Sequence, residues 1–193
     1  MGMPDTAGHE TRDTRRWTRD AVLALPDDGK RYELVDGELL VSPSPRGPHQ
    51  RAVLQLVMLL QPYVREHRLG AICIAPADLD FRAGHLLQPD LFVGAMVDGH
   101  EPVEWDEFGV PILVAEVLSP STARYDRVTK RRLYQRSGVA AYWIVDLDAR
   151  LVEVWTPESL SPAIVDDTLT WQPDLGTPPL VIELGSFFAS VHG

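Results

Sequence analysis

The sequence predicts an α/β domain built on a mixed β-sheet flanked by helices. Three observations carry that expectation. Strand-like and helix-like segments alternate along the chain, which is the pattern of a sheet layered with helices. Residues 112–118 are apolar on both strand faces, apart from Glu116, as a central strand covered by two layers must be. Turn signals at Asp36-Gly37 and at 146–150 each separate two strand-like runs, so part of the sheet is antiparallel.

Taken in order, residues 1–16 are polar, charged and without period, and read as a disordered tail. Residues 17–193 then form a single domain. Residues 17–25 suit a short helix capped by Thr18 and stopped before Pro26. The run 31–41 is an N-terminal β-hairpin around Asp36-Gly37, two residues that tolerate positive φ. Three prolines between Ser42 and Pro48 make a loop. A helix from about 48 to 68 follows, with apolar residues nearly all round its axis, so burial on most sides is expected. Pro62 should kink or shorten it, and Gly70 suits its stop. Strands are expected at 71–75, around Leu79–Phe81, and at 88–94, before an acidic, irregular stretch at 101–108. Pro111 opens the most apolar strand. Asp126 can cap a helix running to Arg136, with Gly138 past its end. Strands at 140–145 and 151–155 flank a second hairpin turn. Beyond Pro157 the pattern weakens to a strand near Val181 and a short helix after Leu184.

Composition narrows the function classes. The chain has 193 residues and is 45% hydrophobic, enough for a real core. Cys73 is the single cysteine, which excludes an internal disulfide and a paired-cysteine zinc site and suits a reducing cytoplasm. No apolar run approaches the roughly 20 residues that span a bilayer, and the first twenty residues carry no signal-type stretch. A net charge of −10 repels phosphate at long range. The charge is uneven, however: between Arg124 and Arg136, six basic residues oppose Asp126 alone, a local +5.

Candidate chemistry starts at Glu116. A carboxylate in a strand buried on both sides needs a partner or a proton; a structural salt bridge is the blander explanation. Asp90 follows Pro89 at the head of an apolar strand. Two acids on neighbouring strands are hard oxygen ligands of the kind Mg²⁺ uses, and the main-chain carbonyl of Val117 is a candidate third ligand. Lys130 shares a helix face with Arg127 and Tyr134. That face is either solvated or aimed at a phosphate. His49 opens the long helix, and Asp78, Asp80, Glu33 and Glu38 are acids for which exposed strand positions are sufficient explanation.

These residues also carry a resemblance. Val35-Asp-Gly-Glu38, the proline-rich loop before His49, Pro89-Asp90, Ala115-Glu-Val-Leu-Ser-Pro-Ser-Thr122, Asp126, Lys130, Tyr134, and Gly138-Val139 through Tyr142-Trp-Ile-Val-Asp146 resemble the Uma-type family. Those restriction-endonuclease-like proteins are placed in the PD-(D/E)xK nuclease superfamily. The likeness runs from about Trp17 to Trp155, and the Glu116-to-Thr122 block with Asp126 and Lys130 is its specific part. It implies a restriction-endonuclease-like core and hydrolysis of DNA phosphodiesters. Asp90 and Glu116 match the acids that hold Mg²⁺ or Mn²⁺, and Lys130 matches a catalytic lysine. The superfamily pattern carries lysine where this chain has Leu118, so Lys130 stands as a lysine moved to the following helix. DNA is the implied partner.

Other readings stay open. The alternative is a nuclease-fold module that interacts or binds DNA without cleaving it, a reading that net acidity and Leu118 favour. Convergence of Asp90 and Glu116 on one cation separates the two. Asp146-x-Asp148 resembles an aspartyl-phosphate motif, although a tight hairpin explains it. A homodimer is expected on general grounds, with Phe187-Phe188 as a candidate contact.

Overall fold

The computed structural model of the protein describes residues 16–81 and 84–192. The expected tail falls almost wholly on residues 1–15, outside the described residues. Thr18 caps α1 (Arg19–Leu23), its Oγ1 accepting the Ala21 N–H. β1 (Arg31–Val35) and β2 (Glu38–Ser42) form the expected antiparallel hairpin, with Asp36 and Gly37 both at positive φ. α2 (Gly47–Glu66) follows the proline-rich loop and runs four residues past Pro62 rather than ending there.

The main sheet has six strands in the order β3-β4-β5-β6-β7-β8. These are β3 (Gly70–Ile74), β4 (Leu91–Ala95), β5 (Leu113–Val117), β6 (Tyr142–Asp146), β7 (Leu151–Trp155) and β8 (Ala163–Val165). β5 and β6 pair in parallel and the other neighbours antiparallel, so the sheet is mixed. The parallel crossover carries a π-helical turn (Tyr125–Lys130) that runs directly into α3 (Arg131–Arg136). A second two-stranded sheet pairs β9 (Thr168–Trp171) with β10 (Leu180–Glu183), and α4 (Leu184–His192) closes the described chain.

Side-chain alternation along β5 divides the core. Leu113, Ala115 and Val117 face a layer made by α2, α4 and the aromatic rings of Trp143, Trp171, Phe187 and Phe188. Val114 and Leu118 face the opposite way, toward Val35, Leu40, Tyr134 and Tyr142.

Four expectations need correction. α2 is buried along one face only: Leu54 and Met58, one turn apart, are 56% and 58% exposed, because the sheet and α4 cover only one side. Leu79–Phe81 forms no strand, merely a bridge from Leu79 to Leu87. Asp126 does not cap a helix; it lies buried inside the π-helical turn. Phe187 and Phe188 are packed in the core and cannot form a contact between subunits.

Candidate active site

The turn-and-strand grammar of the chain brings acids to one end of the sheet. Pro89 has no N–H to pair, and Asp90 sits just ahead of β4 while Glu116 lies one residue from the end of antiparallel β5. Both carboxylates therefore meet at the same edge. The Asp90 N–H donates to Glu116 Oε2 at 3.4 Å, and the Val117 N–H donates to Asp90 Oδ2 at 2.9 Å. The π-helical turn delivers Lys130, which is 2% exposed. Its Nζ donates to Glu116 Oε1 at 3.0 Å, lies 3.0 Å from Glu33 Oε2, and contacts Asp126 Oδ1 at 3.3 Å. Tyr134, one α-helical turn on, donates its hydroxyl to Glu116 Oε1 at 3.1 Å. Asp90, Glu116 and Lys130 are thus brought into one network.

Three further residues belong to it. Arg31 donates to Asp90 Oδ1 at 2.9 Å, and His49 Nε2 lies 3.0 Å from Asp90 Oδ2. Glu33, expected on an exposed strand face, is 1% exposed. The reason is that the hairpin is covered on both sides: Leu34 and Tyr32 pack with Trp17, Val22 and Leu86, while Arg31 points at Asp90 and Glu33 at Lys130. His49 is buried rather than on the polar surface. Arg127 departs from Lys130, donating instead to Glu153 and Asp146 at 2.6 and 2.8 Å. Asp78 accepts from the Gln88 side chain, Asp80 pairs with Arg19, and Glu38 sits on the exposed hairpin. Asp146 takes the N–H groups of Asp148 and Ala149, the hairpin turn its sequence suggested.

Electrostatics set the two central acids apart. Burial alone would raise the Asp90 carboxyl, but the hydrogen bond from His49 and the Arg31 charge outweigh it and hold it at about 2. Burial pushes Glu116 well above the ordinary carboxylate range; Lys130 opposes this, while Asp90, Asp126 and Glu33 add to it. Asp126 is raised by burial in the same way. Burial works against a charged Lys130, yet Glu116, Glu33 and Asp126 together keep it a firm ammonium. The Tyr134 phenol stays protonated, raised by burial and by Glu116.

The network forms the floor of an open cleft of about 780 Å³, walled by the loop around Pro45 and Arg46, the Ser119–Thr122 segment and the Asp146–Ala149 turn. Four buried carboxylates (Glu33, Asp90, Glu116, Asp126) face two permanent cations, Arg31 and Lys130. Glu116 Oε2 has only the long 3.4 Å donor, and Asp126 Oδ1 accepts no hydrogen bond. Hard carboxylate donors and under-satisfied oxygens fit a divalent cation. Among the described residues, however, no three His, Cys, Asp or Glu side chains are arranged as a ready-made metal cage; Asp90 and Glu116 are turned toward protein donors.

Comparison with known proteins agrees with this architecture. The family model Uma2, described as "Putative restriction endonuclease", matches residues 19–185. Among solved structures, one described as a "putative nuclease belonging to DUF820", from Anabaena variabilis ATCC 29413, superimposes with a TM-score of 0.72. It is 18% identical, over 91% of this chain and 99% of its own, so the likeness is one of fold. No curated protein matches the chain.

Proposed function

The chain belongs to the Uma2 family, and on that premise we propose that it is a metal-dependent endonuclease hydrolysing DNA phosphodiester bonds in the cleft above Asp90, Glu116 and Lys130. One observation carries the reading: two acids on adjacent strands and a buried lysine from the next helical segment meet on the floor of an open cleft. Asp90 and Glu116, with the carbonyl of Val117, are the groups that would hold Mg²⁺ or Mn²⁺. Such an ion, when bound, supplies Lewis-acid charge and lowers the pKa of its water. Lys130 acts as a fixed positive charge beside the phosphate as negative charge develops. With three carboxylates within 3.3 Å it is not a proton acceptor. Asp90, held low by His49 and Arg31, would be the constant anionic ligand, and a bound cation would favour the ionised form of Glu116. A cytoplasmic homodimer acting on DNA belongs to the same proposal, resting on the lone cysteine and on the prevalence of symmetric dimers.

The test is cleavage of single- and double-stranded DNA by purified protein with Mg²⁺, with Mn²⁺ and with chelator. Wild type is expected to cleave only with a divalent ion, and Asp90→Ala and Glu116→Ala to lose about 10²–10³-fold or more. Cleavage unchanged in both variants would sink the assignment.

A second reading is favoured by one observation: the Asp90 and Glu116 oxygens are already engaged by Arg31, His49, Lys130, Tyr134 and main-chain N–H groups. A module that keeps the nuclease fold without cleaving would look the same. It predicts DNA retention without turnover at any divalent-ion concentration.

A further inference from the structure

The N-terminal hairpin reaches the cleft floor in an unusual way. Arg31 and Glu33 are two apart on β1 and share one strand face. Each side chain makes two contacts, one to the main chain of Gln88 and one to a central charge. Arg31 donates Nη1 to the Gln88 carbonyl at 2.7 Å and Nη2 to Asp90 Oδ1 at 2.9 Å. Glu33 accepts the Gln88 N–H on Oε1 at 2.9 Å and faces the Lys130 ammonium with Oε2 at 3.0 Å. The strand is itself registered against this segment, since Leu34 and Leu86 exchange both backbone hydrogen bonds at 2.7 and 2.9 Å. Gln88 leads through Pro89 straight into Asp90. The peptide groups of one residue therefore serve as the common reference from which an acid just ahead of β4 and a lysine on the crossover helix are both set.

Resting on the nuclease reading, we propose that Arg31 and Glu33 are positioning residues for the reaction, Arg31 fixing the Asp90 carboxylate and Glu33 fixing the Lys130 ammonium. Neither touches the reacting atoms. The planar guanidinium suits this position because its two Nη groups donate to a carbonyl and a carboxylate from one rigid fork, a preorganisation that a flexible ammonium lacks. Glu33 must be a carboxylate because one oxygen takes an N–H while the other faces a cation. Displacement of a reacting group by about 1 Å costs on the order of 10²-fold in rate, so the clamp acts on turnover rather than on DNA binding.

The experiment compares Arg31→Lys and Glu33→Gln with wild type in three measurements: steady-state cleavage with Mn²⁺, thermal unfolding, and amide NMR of the metal-free protein. Both variants are expected to fold. Each should lose about 10–100-fold in kcat, the usual effect of outer-shell partners, with KM for DNA changed less than about twofold. The Val117 amide proton reports where the Asp90 side chain lies, because it donates to Oδ2. It should shift upfield in Arg31→Lys and stay put in Glu33→Gln, where the Gln88 amide also keeps an acceptor. In Glu33→Ala the Gln88 amide should lose that bond. A purely structural role predicts loss of stability with kcat unchanged in the folded fraction, and that outcome overturns the proposal. So does an unmoved Val117 amide in Arg31→Lys. If wild type cleaves no DNA, the nuclease reading fails while the amide shifts still decide the clamp.

Discussion

The two faces of the central sheet are built on opposite principles. On the α2/α4 face, β5 presents Leu113, Ala115 and Val117 to Trp143, Trp171 and the Phe187–Phe188 pair. The contacts there are predominantly apolar, and stability comes mainly from filled volume. On the hairpin face, the same strand presents Glu116 to Lys130 and Tyr134, with Glu33, Asp90 and Asp126 around them. Burying so many charges is a poor route to stability, since well-packed apolar residues of similar size do as well or better. Both faces carry an apolar core, but only the hairpin face also buries a charged network at a thermodynamic cost, which points to chemistry.

The largest expected effects break each face by its own rule. Trp143→Ala removes volume from the dry face and should destabilise by about 3–5 kcal/mol. Lys130→Met keeps most of the volume on the other face yet should cost a similar amount, about 3–5 kcal/mol, because it leaves buried carboxylates without their cation. Equilibrium urea unfolding reads both. Combining Lys130→Met with Glu33→Gln, Glu116→Gln and Asp126→Asn should recover most of that loss, whereas no such charge removal rescues Trp143→Ala. A neutral Lys130→Met would mean that the ammonium does not organise this face.

That asymmetry explains what the sequence could and could not reveal. The scaffold was legible: the apolar run 112–118, the Asp36-Gly37 and 146–150 turns and the terminal helix are local patterns, and each matches an observed element. Glu116 was legible because a lone acid in a doubly apolar strand has few explanations. Arg31 and Glu33 were not, because the residues that bury them lie far along the chain and an acid on a hairpin strand looks solvent-facing. The signal that could have found them is the near-continuous apolar character of Tyr32, Leu34 and Val35, which marks a hairpin covered on both sides. Lys130 was found by likeness, but its surroundings were misjudged. The π-helical turn changes the phase of the crossover, so Arg127 leaves the face it was expected to share. Such turns often sit at functional positions, and no residue pattern here announced one.

A smaller effect sharpens the contrast within the charged face itself. Asp90 has its pKa lowered from 3.8 to about 2. Its contribution to stability is present above the unfolded value and disappears as pH falls through about 2. Glu116 has its pKa raised above 4.5, so its contribution is full below that value and is lost as pH rises through the folded one. Stability measured by urea unfolding should therefore rise between about pH 2 and 4 through Asp90, then be eroded at higher pH through Glu116. Asp90→Asn should flatten the first limb and, by removing a charge that raises Glu116, also weaken the second, whereas Glu116→Gln should weaken the second and leave the first in place. Both limbs surviving in both variants would mean that other groups govern the acid response.

The smallest expected effect asks whether the hairpin is held by its buried clamp or by its exposed tip. At the tip, Asp36 accepts two hydrogen bonds from Arg136 of α3 at 2.7 and 2.8 Å and lies 3.0 Å from His85 Nε2. The geometry is good, but the Asp36 and Arg136 side chains are 59% and 50% exposed. Water and salt screen such a pair, and its worth is about 0–1 kcal/mol. Arg136→Ala should accordingly change stability by less than about 1 kcal/mol, shrink further at 0.5 M salt as the Debye length falls to roughly 4 Å, and leave the Val117 amide shift untouched. If instead it moved that shift as far as Arg31→Lys does, the hairpin would be set from its tip, and the double grip on Gln88 would follow from that docking rather than cause the alignment of the charged face.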